Sequence, residues 1–252
     1  MPLVIENLNV ILGGQTILKN VNLEITDGIL TALIGPNGAG KTTLFNVICG
    51  QVGADSGEIK YGASNLLNKH PHEIAQLGIA RTFQTPREFS ELSVLENLMV
   101  APKNQIGEKP WNIWFKQRKF RNQEHVLIEK AWEIIQFLGL ETEANRLSSQ
   151  LSGGQKKLLE LGRALMTEPQ IILLDEPIAG VNPSLSTQII AKLKVLIRQG
   201  LTLFVIEHNM EFVMQNSDMV HVLAYGEVLV SGIPSYVRSE PRVLEAYLGR
   251  DK

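Results

Sequence analysis

The chain has 252 residues, 44% of them apolar and 20% charged, enough for one large or two modest packed domains and too apolar for a disordered polypeptide. Its 24 Lys+Arg and 26 Asp+Glu leave a formal charge of −2, which argues against a general electrostatic grip on nucleic acid, so no nucleic-acid partner is expected. No apolar run approaches the roughly eighteen residues of a membrane helix, Met1–Glu6 lacks the basic start and apolar core of a signal peptide, and the single Cys49 excludes an intrachain disulfide or a multi-cysteine zinc site. A cytosolic setting is expected.

In chain order, Leu3–Ile11 and Ile17–Ile25 read as strands broken at Gly13-Gly14 and Asp27-Gly28. Leu30–Ile34 is a short apolar strand running into a glycine-rich turn, followed by helical spacing over Lys41–Cys49 and a strand over Gly57–Tyr61. From about Pro86 to Met166 the pattern is mostly helical, clearest in Glu91–Met99, Glu124–Leu138 and Gln155–Met166. Between them, Ala101–Arg121 carries Pro102, Pro110, Trp111, Trp114, Phe115 and a basic run from Lys116 to Arg121, and reads as an irregular or partly helical insertion. Ile171–Leu174 and Leu201–Ile206 are parallel-sheet strands around a helix over Ser184–Arg198. Val220–Ala224 and Glu227–Val230 form a hairpin, and one last helix covers about Ser235–Tyr247. The sum is an α/β core interrupted by an α-helical subdomain.

Three motifs carry chemistry. Gly35-Pro36-Asn37-Gly38-Ala39-Gly40-Lys41-Thr42 fits the phosphate-loop pattern and stands between a strand and a helix, the context that pattern requires. Glycines let backbone N–H groups curl around phosphate oxygens, Lys41 can reach the β- and γ-phosphates, and Thr42 offers a hydroxyl to Mg²⁺. Ile171–Glu176 is an apolar strand ending in two acids, with Asp175 suited to hold Mg²⁺ and Glu176 to polarise an attacking water as general base. Leu151-Ser152-Gly153-Gly154-Gln155 is a second glycine-rich helix start, where a simple cap would need Ser152 but not two glycines.

With that third motif the whole chain resembles the nucleotide-binding subunits of ABC transporters, whose signature it is. The resemblance implies a P-loop fold of ABC type: a RecA-like parallel-sheet core with an antiparallel β subdomain over 1–85 and 167–252, and a helical subdomain over 86–166 carrying the signature. It implies ATP and Mg²⁺ as cofactors. ATP would lie on Gly35 to Thr43, including Thr43, and Ser152, Gly153, Gly154 and Gln155 of one subunit would close on ATP held by a second ATPase subunit, identical or not. It gives Gln84, in Arg81-Thr82-Phe83-Gln84, contact with Mg²⁺ and the attacking water, and His208 contact with the γ-phosphate; Thr42, Gln84 and Asp175 are the metal residues. It places Ala179–Asn182 along the dimer interface. The remaining partners implied are transmembrane permease subunits and, indirectly, a substrate-binding protein, with the ATPase peripheral on the cytoplasmic face of the inner membrane.

Two positions depart from the family pattern: Leu12 stands where an aromatic side chain usually stacks on adenine, and Asn182 stands where many relatives carry Asp. Within the family, the Arg81–Gln84 segment, Leu92–Leu98, the Trp-containing insertion, Glu176–Pro183, Ile206–Met210 and Glu245–Gly249 resemble importers of branched-chain and other hydrophobic amino acids. Urea uptake and lipopolysaccharide export are served by similar subunits. A non-transport ABC ATPase fits less well, because it usually has paired cassettes or a long coiled coil. Another P-loop enzyme such as a small-molecule kinase would lack the signature. The basic aromatic insertion reads first as a short helix with aromatics packed inward, and second as a membrane-proximal surface. Cys49 reads as a core residue rather than a reactive thiol.

Overall fold

The computed structural model describes residues 1–83, 87–103, 105 and 117–248. The N-terminal third contains β1 (Leu3–Leu12), β2 (Gln15–Ile25), β3 (Leu30–Ile34), α1 (Lys41–Ile48), β4 (Ser56–Tyr61), β5 (Ser64–Asn65), α2 (Pro71–Gln76) and β6 (Ile79–Arg81). Then come α3 (Val94–Met99), α4 (Gln117–Leu138) and α5 (Gly153–Met166), with two short 3₁₀ turns between α4 and α5. The C-terminal third holds β7 (Ile171–Asp175), α6 (Pro183–Arg198), β8 (Thr202–Ile206), α7 (Met210–Asn216), β9 (Met219–Ala224), β10 (Glu227–Gly232), α8 (Pro234–Ser239) and α9 (Pro241–Leu248).

Contacts divide the chain into two units, Met1–Arg81 with Gln170–Pro177 and Leu193–Lys252, and Thr82–Pro169 with Ile178–Lys192. The first unit holds both sheets. One is antiparallel, in the order β2-β1-β4-β5, and the other has the order β10-β9-β3-β8-β7-β6. In the second sheet only the β9–β10 hairpin is antiparallel. The sequences explain the difference. In β1, Leu3, Ile5, Leu8 and Val10 are buried, and Val4, Glu6, Asn7 and Asn9 between them are not, the signature of a sheet covered on one face. In β3, β7 and β8 all fifteen positions are buried, as parallel strands covered on both faces require. Against this sheet Phe45 of α1 meets Phe204 of β8, ring centroids 4.9 Å apart and both side chains fully buried.

The second unit is built on α3, α4 and α5, which contact one another pairwise. Ser93 caps α3 by accepting the Glu96 N–H while Glu96 accepts the Ser93 N–H, so the helix starts at Val94 rather than at Glu91. The C-terminal helix expected as one piece is two. Pro241 forces Glu240 into an extended conformation (ψ 117°) between α8 and α9. α2, β6 and α7 escape a periodicity reading because none exceeds seven residues. Residues 117–121 of the insertion open α4, whereas Trp111, Trp114, Phe115 and Lys116 lie outside the described residues. No helix among the described residues is long and apolar enough to cross a membrane.

The Phe45–Phe204 contact joins α1 to the sheet, so Phe204→Ala should destabilise the chain by about 3–5 kcal/mol. Urea unfolding would show this as a lower midpoint at unchanged slope, and a loss under about 1 kcal/mol would mean that the core closes over the gap without strain.

Candidate functional site

Strand register builds the site. Leu33 of β3 pairs with Ile206 of β8, and Ile206 pairs with Asp175 of β7. The carboxyl ends of three parallel strands therefore finish level, and the chain leaving each carries a candidate residue: Gly35 after β3, Glu176 after β7, His208 after β8. Ligands of open α/β sheets bind at such an edge.

At the end of β3 the loop turns sharply. Gly35 has φ 150°, and a Cβ there would stand 1.9 Å from the Leu223 carbonyl oxygen, so only glycine fits. The loop then delivers α1 without a side-chain cap, since its N-cap is Gly40; helix geometry leaves the first-turn N–H groups without intrahelical acceptors. Lys41 is 7% exposed, and its Nζ donates to the carbonyl oxygens of Gly35 (2.7 Å) and Pro36 (2.9 Å). Asn37, Gly38 and Thr42 are exposed, while Gly40 and Thr43 are half-buried and Ala39 is buried.

Past β7, Glu176 has φ 50°, a left-handed conformation uncommon for a side chain of its length. Its N–H donates to the Ile206 carbonyl at 2.9 Å, which holds the turn against β8. Glu176 Oε1 lies 2.9 Å from His208 Nε2, so the structure brings together the expected base and the histidine expected at the γ-phosphate. Glu207, 2% exposed, accepts the His208 N–H at 3.1 Å and steadies the turn from below. Asp175 is 5% exposed, and burial pushes its carboxyl above the ordinary range against the pull of the Arg81 guanidinium, whose Nη2 donates to Oδ2 at 3.1 Å. Cys49 is buried, and burial pushes its thiol up to about 11, as fits a core residue.

The second unit carries the other glycine-rich start. Ser152 caps α5 by accepting the Gln155 N–H at 3.3 Å, and Gln155 Oε1 accepts the Ser152 N–H at 2.9 Å. Gln155 thus closes a capping box, and its Nε2 also reaches Glu143. The two glycines differ. Gly153 is exposed with open space beside it, whereas a Cβ on Gly154 would stand 2.2 Å from Leu185 Cδ2, so packing alone accounts for the second glycine. Asn182 accepts the Leu185 N–H and caps α6. Gln84 lies outside the described residues.

One feature of this unit has no motif. Lys156, Glu160 and Arg163 share one face of α5 at i, i+4, i+7 spacing. Lys156 pairs with Glu88 at 2.6 Å, Glu160 accepts the Phe83 N–H at 2.7 Å, and Arg163 donates to the Arg87 carbonyl and covers the Phe89 ring. Glu160 is 8% exposed, and burial pushes its carboxyl up to about 7 despite Phe83 N–H, Arg163 and Lys157. In sequence it is one polar residue in an amphipathic helix and carries no signal.

The donor set fits a nucleoside triphosphate with Mg²⁺. Uncapped N–H groups and a buried ammonium suit phosphate oxygens. Among the described residues no three His, Cys, Asp or Glu side chains gather as a self-contained metal site. One carboxylate and one hydroxyl, from Asp175 and Thr42, are what Mg²⁺ takes from a protein when phosphates complete its shell.

Comparison with known proteins identifies the family. Residues 18–179 match the family model described as ABC transporter. The chain is 41% identical over 248 residues to the probable branched-chain amino acid transport ATP-binding protein LivG of Methanocaldococcus jannaschii, covering 97% of this chain and 96% of that one. A nucleotide-free ATP-binding cassette from an ABC transporter superposes with TM-score 0.86 at 39% identity, covering 99% and 100% of the two chains. A dimeric post-hydrolysis cassette bound to ADP and Pi superposes with TM-score 0.76 at 27% identity, covering 92% and 98%.

Glu160 yields a signed expectation. Its folded value lies above the ordinary 4.5, so the folded chain favours the neutral acid, and stability from this residue is lost as pH rises from about 4.5 through about 7. Glu160→Gln keeps an acceptor for the Phe83 N–H and removes the titration. Its thermal midpoint relative to wild type should therefore climb between pH 5 and pH 8, by up to about 3 kcal/mol in stability. An equal difference at both pH values would contradict an ionising Glu160.

Proposed function

The chain belongs to the ABC transporter family of ATP-binding cassettes, and on that premise we propose that it powers an importer of branched-chain or other hydrophobic, neutral amino acids. It is an ATP-hydrolysing transporter subunit. The observation that carries the mechanism is the Glu176–His208 pair, 2.9 Å apart, at the strand edge that also bears Lys41 and Asp175.

In this reading the loop from Gly35 to Thr43 holds the phosphates of ATP through its N–H groups, and the Lys41 ammonium turns from its own loop carbonyls to the β- and γ-phosphates. Thr42 and Asp175 would hold Mg²⁺, which would supply neutralisation of phosphate charge when bound. Glu176 accepts the proton of the attacking water. His208 orients that carboxylate through Nε2 and meets the γ-phosphate. Gln84 would be the residue that contacts the metal and the attacking water. Leu12, 43% exposed beside the 48% exposed Ile11 at the end of β1, offers the base an aliphatic surface in place of an aromatic ring.

Ser152, Gly153 and Gly154 of a second ATPase subunit close on the same ATP. The dimeric ADP-and-Pi-bound relative supports this arrangement, and the named relatives support the amino-acid cargo. Permease subunits hold the dimer on the inner face of the inner membrane, and a substrate-binding protein delivers cargo from the other side. Loss of uptake of labelled leucine or valine on deletion of the gene tests the cargo, and unchanged uptake contradicts it.

Glu176→Gln should retain ATP binding and lower turnover by about 10²–10⁴-fold, because the amide cannot take a proton from water; turnover within a few-fold of wild type would remove Glu176 as general base. The same variant tests the dimer. With MgATP it should sediment as a dimer. Adding Gly153→Asp, at an exposed position with space for the side chain, should keep ATP binding and abolish dimerisation by repelling phosphate. A Gly153→Asp chain that dimerises as readily would contradict closure of the signature on ATP.

A further inference from the structure

Arg81 opens the segment that ends in Gln84 and has no role of its own in the site so far, yet it occupies a demanding position. It is the last residue of β6, paired in register with Leu173 of β7. Its side chain is 7% exposed and that of its partner Asp175 6%. The guanidinium reaches in two directions. Nη2 donates to Asp175 Oδ2 at 3.1 Å, whereas Nη1 donates to Asn46 Oδ1 at 2.6 Å and to Gln51 Oε1 at 3.1 Å. Its Cζ stands 5.7 Å from the centre of the Phe45 ring. One rigid fork thus ties the carboxylate at the end of β7 to α1, the helix that begins with Lys41 and Thr42.

Taking a guanidinium and a carboxylate out of water is costly, and an apolar pair of equal volume would often serve stability as well. Stability alone therefore does not account for Arg81. Its geometry does something an apolar residue cannot: it sets the distance and orientation of the Asp175 carboxylate relative to α1.

We propose that Arg81 is a positioning residue for the metal site, holding the Asp175 carboxylate in register with the Thr42 hydroxyl of α1 so that both can receive Mg²⁺ with the nucleotide. The inference rests on the assignment of Asp175 and Thr42 as metal residues. Lysine cannot replace arginine here, because a single ammonium cannot span Asp175, Asn46 and Gln51 as a planar fork does.

The test uses the full chain with Glu176→Gln to prevent turnover, and the affinity for a fluorescent ATP analogue measured in Mg²⁺ and in EDTA. The ratio of the two affinities is the coupling between metal and nucleotide. Arg81→Met should reduce that ratio by about tenfold or more, the usual cost of losing the partner that orients a metal ligand, while binding in EDTA changes little. Arg81→Lys, which keeps the buried charge and so guards against a misfolded Arg81→Met chain, should restore only part of the ratio. With Asp175→Asn already present, Arg81→Met should change the ratio no further, an outcome that a merely structural arginine would not produce. A folded Arg81→Met or Arg81→Lys chain with the wild-type ratio overturns the inference. Failure of the parent chain to bind the analogue, or to show any Mg²⁺ dependence, overturns instead the functional reading beneath it.

Discussion

The site depends on the parallel pairing of β3, β7 and β8, because that register alone decides which residues leave the sheet together. Leu33, Ile206 and Asp175 are level, so the phosphate loop, the acidic pair and the histidine turn emerge side by side although more than a hundred residues separate the first from the others. A one-residue slip would send every side chain of a strand to the opposite face. Strands buried along their whole length resist such a slip less than alternating ones would, and polar contacts at their ends contribute to the register. The Thr202 hydroxyl accepts the Gly28 N–H, and the Asp218 carboxylate accepts the Leu30 N–H.

Around that edge, local cost and function coincide. Lys41 and Asp175 are nearly buried charges, Glu176 sits at positive φ, and Gly35 fits against the Leu223 carbonyl only for want of a Cβ. Each would be avoided in a chain selected for stability alone. Each is held by neighbours that are themselves fixed: Lys41 by two carbonyls, Asp175 by Arg81, and Glu176 by the Ile206 carbonyl and His208. Each of these side chains is thereby held by the protein itself, Lys41 on its own loop carbonyls.

What could be read from the sequence follows from how local the constraint is. The phosphate loop, Asp175-Glu176 and Ser152–Gln155 were legible because residue type and spacing are dictated within one turn of chain. The central strands were legible because continuous apolar runs have few other uses. β6 and α7 were not, being shorter than the period that would announce them, and the break at Pro241 was passed over because the helical pattern resumes beyond it. Arg81 and the Lys156–Glu160–Arg163 stripe were invisible for a different reason: their partners are remote in sequence and nothing local marks an arginine as buried. Gly154 carries a constraint that is equally remote, since a Cβ there would meet the Leu185 side chain.

We propose that the loop from Gly35 to Thr43 holds ATP, with Lys41 as its movable cation. A structure of the Glu176→Gln chain with MgATP tests it most directly. The β- and γ-phosphates should lie within the loop with Lys41 Nζ on their oxygens, no longer bonded to the Gly35 and Pro36 carbonyls. Nucleotide bound elsewhere, or Lys41 still on both carbonyls beside a bound triphosphate, would contradict it.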